Sequence, residues 1–106
     1  MAPAPTNRRE KLHEILVGIL GSRNVYFQPP DNLHMNYPAI TYERDYSNVL
    51  HADNKPYHIF KRYQITVIDG DPDSLVPDKV ALLPNCSFIR WFATDELNHD
   101  IYNLYF

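Results

Sequence analysis

Tyr57-His58-Ile59-Phe60-Lys61-Arg62-Tyr63-Gln64-Ile65-Thr66-Val67-Ile68-Asp69 carries the strongest alternation in the chain and decides its fold class. Tyr57, Ile59, Tyr63, Ile65 and Val67 share one face, interrupted by Lys61. His58, Arg62, Gln64 and Thr66 take the other, with Phe60 and Ile68 among them. A period of two is the signature of a β-strand. At about 3.3 Å per residue this strand reaches roughly 40 Å, whereas a compact body of about 100 residues has a radius of gyration near 13 Å. Either a bulge breaks the strand or its first half projects beyond the core.

Upstream, Tyr37-Pro38-Ala39-Ile40-Thr41-Tyr42-Glu43-Arg44-Asp45 alternates in the same way, with Pro38 among its first residues. The two strands form a long hairpin over 39–69, with residues 46–57 as its tip. Tyr46, Val49, Leu50 and Tyr57 are apolar or amphipathic groups with no local core to enter, so the tip is a candidate contact with another chain. The alternative is a tip that folds back over its own sheet.

Further outward, Leu12, Ile15, Leu16, Ile19 and Leu20 recur at helical spacing, which predicts a helix over 8–20. Asn7 with Glu10 can form a capping box, and Gly21 supplies the stop. Residues 1–6 read as a flexible N-terminus. Val25-Tyr26-Phe27-Gln28, closed by Pro29-Pro30, predicts a short strand. Beyond the hairpin, Asp69-Gly70-Asp71-Pro72-Asp73-Ser74 turns the chain into a helix over 75–83 with Val76, Val80 and Leu83 on its apolar face. Pro77 is tolerated in its first turn, where no intrahelical bond is lost. Strands over 86–92 and 100–106 complete the chain. The order α-β-β-β-α-β-β predicts one α+β domain over 1–106: a mainly antiparallel sheet of four to five strands, two helices packed on it, and a protruding hairpin.

The chain has 106 residues, a formal net charge of −3 and a pI near 5.9, with three glycines, one cysteine, one tryptophan, nine prolines and eight tyrosines. That length suits a single modest core. No apolar run is long enough to cross a membrane as a helix, and the first residues lack the pattern of a signal peptide, so synthesis in the cytoplasm is expected. Cys86 has no intrachain partner for a disulfide. The net negative charge and scattered basic residues lack the basic stripe of a general nucleic-acid binder.

No chemistry-bearing motif emerges. Asp69, Asp71 and Asp73 imitate the first ligands of a calcium loop, but Ser74 stands where glycine is needed and Val80 where a bidentate glutamate is needed. Turn and cap roles account for them. His13, His34, His51, His58 and His99 show no ligand spacing, no serine sits in a nucleophile elbow, and three glycines make no phosphate loop. Lys61-Arg62 between Phe60 and Tyr63 resembles a fragment of an RNA-binding sheet, yet neighbouring strand residues point to opposite faces and split the pair. Catalytic, cofactor and metal residues are therefore not assigned, and no enzyme is expected.

Tyr37–Glu43, Lys61–Asp69, Asp71–Ser74 with Pro77-Asp78-Lys79, Ser87–Phe92, Leu97–Asp100 and Leu104–Phe106 together resemble the small neck and tail-completion proteins of tailed phages, most of all the tail terminators. The resemblance runs from Tyr37 to Phe106 and rests on structural motifs. It implies a virion protein of the head-tail neck, assembled from the host cytoplasm as a homo-oligomeric ring, usually of six copies. Such a ring caps the tail tube, meets the tube protein on one side and the connector or stopper on the other, and lets DNA pass through its lumen without specific binding. A stopper or head-completion protein of the neck is the alternative within the class. A small phage-encoded module that binds a host protein is the alternative outside it.

Overall fold

The computed structural model describes the backbone of residues 8–52 and 55–106 and the side chains of residues 8–45 and 61–106. The elements in order are α1 (Arg8–Leu20), β1 (Val25–Phe27), β2 (Ala39–Ala52), β3 (Lys55–Asp69), α2 (Val76–Ala81), β4 (Cys86–Thr94) and β5 (Leu97–Tyr105). The strands form a single sheet in the order β1-β2-β3-β5-β4. β1 runs parallel to β2 and every other pair is antiparallel. The chain is thus an α+β fold.

α1 occupies the residues its apolar stripe predicts. Leu12 and Leu16 are fully buried, Ile19 and Leu20 pack against the core from its margin, and Ile15 is left at the surface. Gly21, at φ 80°, donates its N–H to the Val17 carbonyl at 2.9 Å. This left-handed cap ends the helix at little steric cost because glycine has no Cβ. Asn7, the expected cap at the other end, lies outside the described residues.

The core lies between this helix, α2 and one face of the sheet. Ile40 and Tyr42 of β2, Ile65 and Val67 of β3, Leu104 of β5 and Val80 of α2 are all at most 1% exposed. Tyr42 is the polar junction of this layer. Arg9 donates to its hydroxyl oxygen at 3.3 Å, and the hydroxyl lies 2.7 Å from His13 Nδ1. Burial holds His13 below its ordinary pKa and Tyr42 above its own, so a protonated hydroxyl donating to a neutral imidazole satisfies both. Tyr102 likewise donates to the Pro77 carbonyl at 3.1 Å and pins α2 to β5. Burial, the largest cause, pushes its pKa up to about 12.

Some elements differ in extent from the sequence expectation. α2 is shorter, Val76–Ala81, because the following turn closes with a Leu83 N–H to Val80 carbonyl bond and leads into Pro84. The segment 93–98, expected as a loop, is mostly strand. Asp95 and Glu96 both adopt positive φ, 53° and 63°, which makes a two-residue turn whose twist matches the flanking strands. β5 accordingly begins at Leu97, and Phe106 extends its edge by donating its N–H to the Lys61 carbonyl at 3.0 Å.

The hairpin is more regular than its sequence suggests. Pairing continues to Ala52↔Lys55, so Tyr46, Val49 and Leu50 stand in the ladder opposite Arg62, Ile59 and His58, where a tip had been expected. Tyr57 falls at a register irregularity between Leu50 and His51. A second irregularity makes Asp45 an extra residue on β2. β1 accompanies β2 only as far as Tyr42, and β5 accompanies β3 only back to Arg62. Beyond those points, among the described residues, the register pairs the two hairpin strands with each other alone. At roughly 3.3 Å per residue, β3 spans about 50 Å, close to the 52 Å long axis of the molecule. The radius of gyration, 15.2 Å, exceeds the roughly 13 Å of a compact chain this long.

Candidate interaction site

β4 is apolar and aromatic by sequence, yet none of its residues is buried. Its place in the sheet explains this. β5 covers one edge, and among the described residues no strand pairs with the other. Phe88, Ile89, Trp91 and Phe92 are 58, 42, 55 and 37% exposed. A bulge between Phe88 and Arg90 adds Ile89 and reverses the alternation that follows. Phe88 and Trp91, opposite Tyr102 and Asp100, therefore stand on the helix side of the sheet, while Phe92, opposite His99, stands on the open side.

These rings are braced by neighbours. Phe88 meets Tyr102 edge to face at 5.6 Å, and Phe92 stacks on His99 at 4.5 Å with the planes 9° apart. The Arg90 guanidinium lies 5.5 Å from the Phe92 ring centre. Leu75 and Leu82, at the two ends of α2, add exposed apolar surface at 66 and 83%. Fully covering a large apolar side chain stabilises by about 1.5–3 kcal/mol, and an open strand edge offers unmet N–H and C=O groups as well. The geometry suits contact with another protein surface. Cys86, at the start of β4, is half-buried and its thiol pKa is pushed up by burial, which keeps it protonated.

A second concavity lies at the root of the hairpin. It has a volume of about 630 Å³ and is lined by Arg8, Arg9, Arg44 and Lys61 together with Phe27, Tyr63 and Phe106. Arg8 and Arg9 are held over rings, 4.4 Å from the centre of Phe106 and 4.8 Å from that of Phe27. Lys61 enters this cleft, whereas Arg62 points to the other face and donates to Asp45 at 2.9 Å. The split expected of the Lys61-Arg62 pair is the one found.

At the opposite end of β3 the aspartates of the 69–73 loop make successive turns. Asp69 Oδ1 accepts from the Asp71 N–H and Asp71 Oδ1 from the Asp73 N–H, both at 2.9 Å. Asp78, Asp100 and Trp91 line the same shallow depression. Burial raises the Asp100 pKa, reinforced by the Asp78 carboxylate and opposed by His99. Among the described residues no group of three or more His, Cys, Asp or Glu is placed to hold a metal ion, and no helix is long and apolar enough to cross a membrane.

The hairpin residues singled out by sequence, Tyr46, Val49, Leu50 and Tyr57, are positioned by the β2–β3 register, but their side chains lie outside the described residues. β4 and the basic cleft were not singled out. Alternation cannot distinguish an edge strand from a central one, and the cleft gathers residues from Arg8 to Phe106 that share no local pattern. A scan against protein-family models and a search of curated proteins find no match to this chain.

Proposed function

We propose that this chain is a structural protein of a tailed-phage neck, a tail terminator that assembles as a ring, caps the tail tube and joins it to the head-side connector. The observation that carries the reading is the open, aromatic edge of β4, a surface that calls for a protein neighbour. The hairpin that outruns its own sheet on the other side of the molecule supplies a different surface for the same purpose. Two unlike surfaces on one chain make a heterologous contact, and such a contact closes into a ring when the rotation between copies divides a full turn. The resemblance over Tyr37–Phe106 supplies the class of assembly, with the tube protein and the connector as axial partners and a lumen that passes DNA without specific binding.

The deciding experiment is an image reconstruction of the particle that carries this protein. A ring of density between connector and tube, into which this fold fits, is the expected result. Density on the portal side of that position would make the protein a stopper. Absence from the neck, together with a chain that stays monomeric when concentrated, would leave the host-directed binding module as the reading.

A further inference from the structure

We propose that the basic cleft at the root of the hairpin is the receptor for the aspartate loop 69–73 of the next copy of this chain, so that successive subunits join head to tail by charge; this rests on the ring reading above. The cleft collects four of the ten lysines and arginines of a chain whose net charge is −3. Among the described residues that line it there is no aspartate or glutamate. Arg8 and Arg9 are already fixed, each guanidinium over a ring, with Arg8 Nε donating to the Phe106 carbonyl at 3.1 Å and Arg9 to the Tyr42 hydroxyl. Their remaining N–H groups form planar donor sets suited to carboxylates, and the rings have removed much of the entropy that binding would otherwise cost. Arg44 and Lys61 add exposed charge beside them.

The complementary group lies on the same molecule but out of its own reach. Asp69, Asp71, Asp73, Asp78 and Asp100 line a depression that has no lysine or arginine among its described lining residues. The turns of the loop occupy Oδ1 of Asp69 and Asp71 and leave Oδ2 of each as an acceptor. Lys61 and Asp69 stand on one strand, eight residues and about 26 Å apart, so the two charged ends of one copy do not meet. They meet between copies, and a repeated contact of this kind is the heterologous join a ring requires. Nucleic acid is the less favoured occupant, because a phosphate backbone would extend well beyond one cleft onto a surface of net negative charge.

Two charge-reversed chains test the pairing. R8E with R44E and K61E leaves Arg9 as the one cation of the cleft and makes it acidic; D71K with D73K makes the loop basic. All five substituted residues are exposed. Sedimentation at low salt is expected to show wild-type assembly, with the self-association midpoint of each variant alone raised at least tenfold. An equimolar mixture is expected to regain the wild-type midpoint, because each reversed cleft then faces a reversed loop. That mixture can close only by strict alternation, so its native mass should contain even copy numbers alone. Raising the ionic strength from about 0.1 to about 1 M shortens the screening length from about 10 to about 3 Å and should weaken the wild-type assembly. Variants that assemble like wild type, or a mixture that fails to recover, overturn the pairing and leave the ring reading standing. A wild-type chain that is monomeric at low salt also overturns it, while the ring reading is then judged by the particle image. Loss of DNA retention on a filter by the cleft variant, with assembly unchanged, would reassign the cleft to phosphate.

Discussion

β3 and β4 are both rich in apolar and aromatic residues, yet they meet opposite fates. β3 lies between β2 and β5, and its Tyr63, Ile65 and Val67 are at most 3% exposed. β4 lies at the margin, with Phe88, Ile89, Trp91 and Phe92 all more than a third exposed. Side-chain character is similar; the number of neighbouring strands is not. The difference separates two uses of apolar surface, one that holds the monomer together and one that remains available to a partner.

Substitutions in the two strands should therefore part cleanly. Ile65→Ala removes a fully buried side chain and should cost about 2–5 kcal/mol in urea unfolding, with association affected only as far as folding is. Trp91→Ala should leave monomer stability within about 0.5 kcal/mol and weaken self-association at least tenfold, about 1.4 kcal/mol. A result in which both substitutions act mainly on unfolding would break the distinction. Tyr42→Phe probes the polar junction beneath the helix and should cost about 0.5–1.5 kcal/mol, since it strands His13 Nδ1 and the Arg9 donor.

Acidity sharpens the same contrast. His13 is held below its ordinary pKa of 6.5, first by burial, with Arg9 and Arg23 adding to the effect and Glu14 opposing it. The unfolded chain therefore takes up this proton first, and stability should fall as pH drops through 6.5 toward the folded-state value. His13→Gln should flatten that dependence in a pH series of melting curves. Asp100, on the strand beside β4, has its pKa raised by burial from 3.8. Its folded pKa exceeds the unfolded one, so it favours the folded state below pH 3.8 and this contribution is lost as pH rises through the folded value. Asp100→Asn should give the smallest change of the series, a slight gain in melting temperature at pH 7 that vanishes in acid.

The sequence was most informative where a local pattern dictates the outcome. Leu12 and Leu16 mark the buried stripe of α1, and the alternation of Tyr63, Ile65 and Val67 marks the face that meets it. Strand order is not a local property. Nothing in Cys86–Thr94 says that β5 will insert between it and β3, and so nothing marks its rings as surface. The Asp95-Glu96 turn lacks the glycine or asparagine that usually announces a two-residue hairpin, which is why its strands run longer than expected. The bulge that turns Trp91 toward the helix side has no sequence signature either, since it depends on how Phe88 and Arg90 meet β5. The cleft is the extreme case, built from residues as far apart as Arg8 and Phe106.

Among the described strands, β5 alone joins β4 to the body of the sheet. In terms of hydrogen exchange, successive amides of β4 then belong to two populations, one donating inward to β5 and one turned toward solvent. The inward set should exchange as a block with the β4–β5 hairpin, and the outward set should be gone within the earliest time points. A partner that adds a strand to this edge would slow the outward amides on either side of the Ile89 bulge, whereas one that covers only the rings would leave their exchange unchanged.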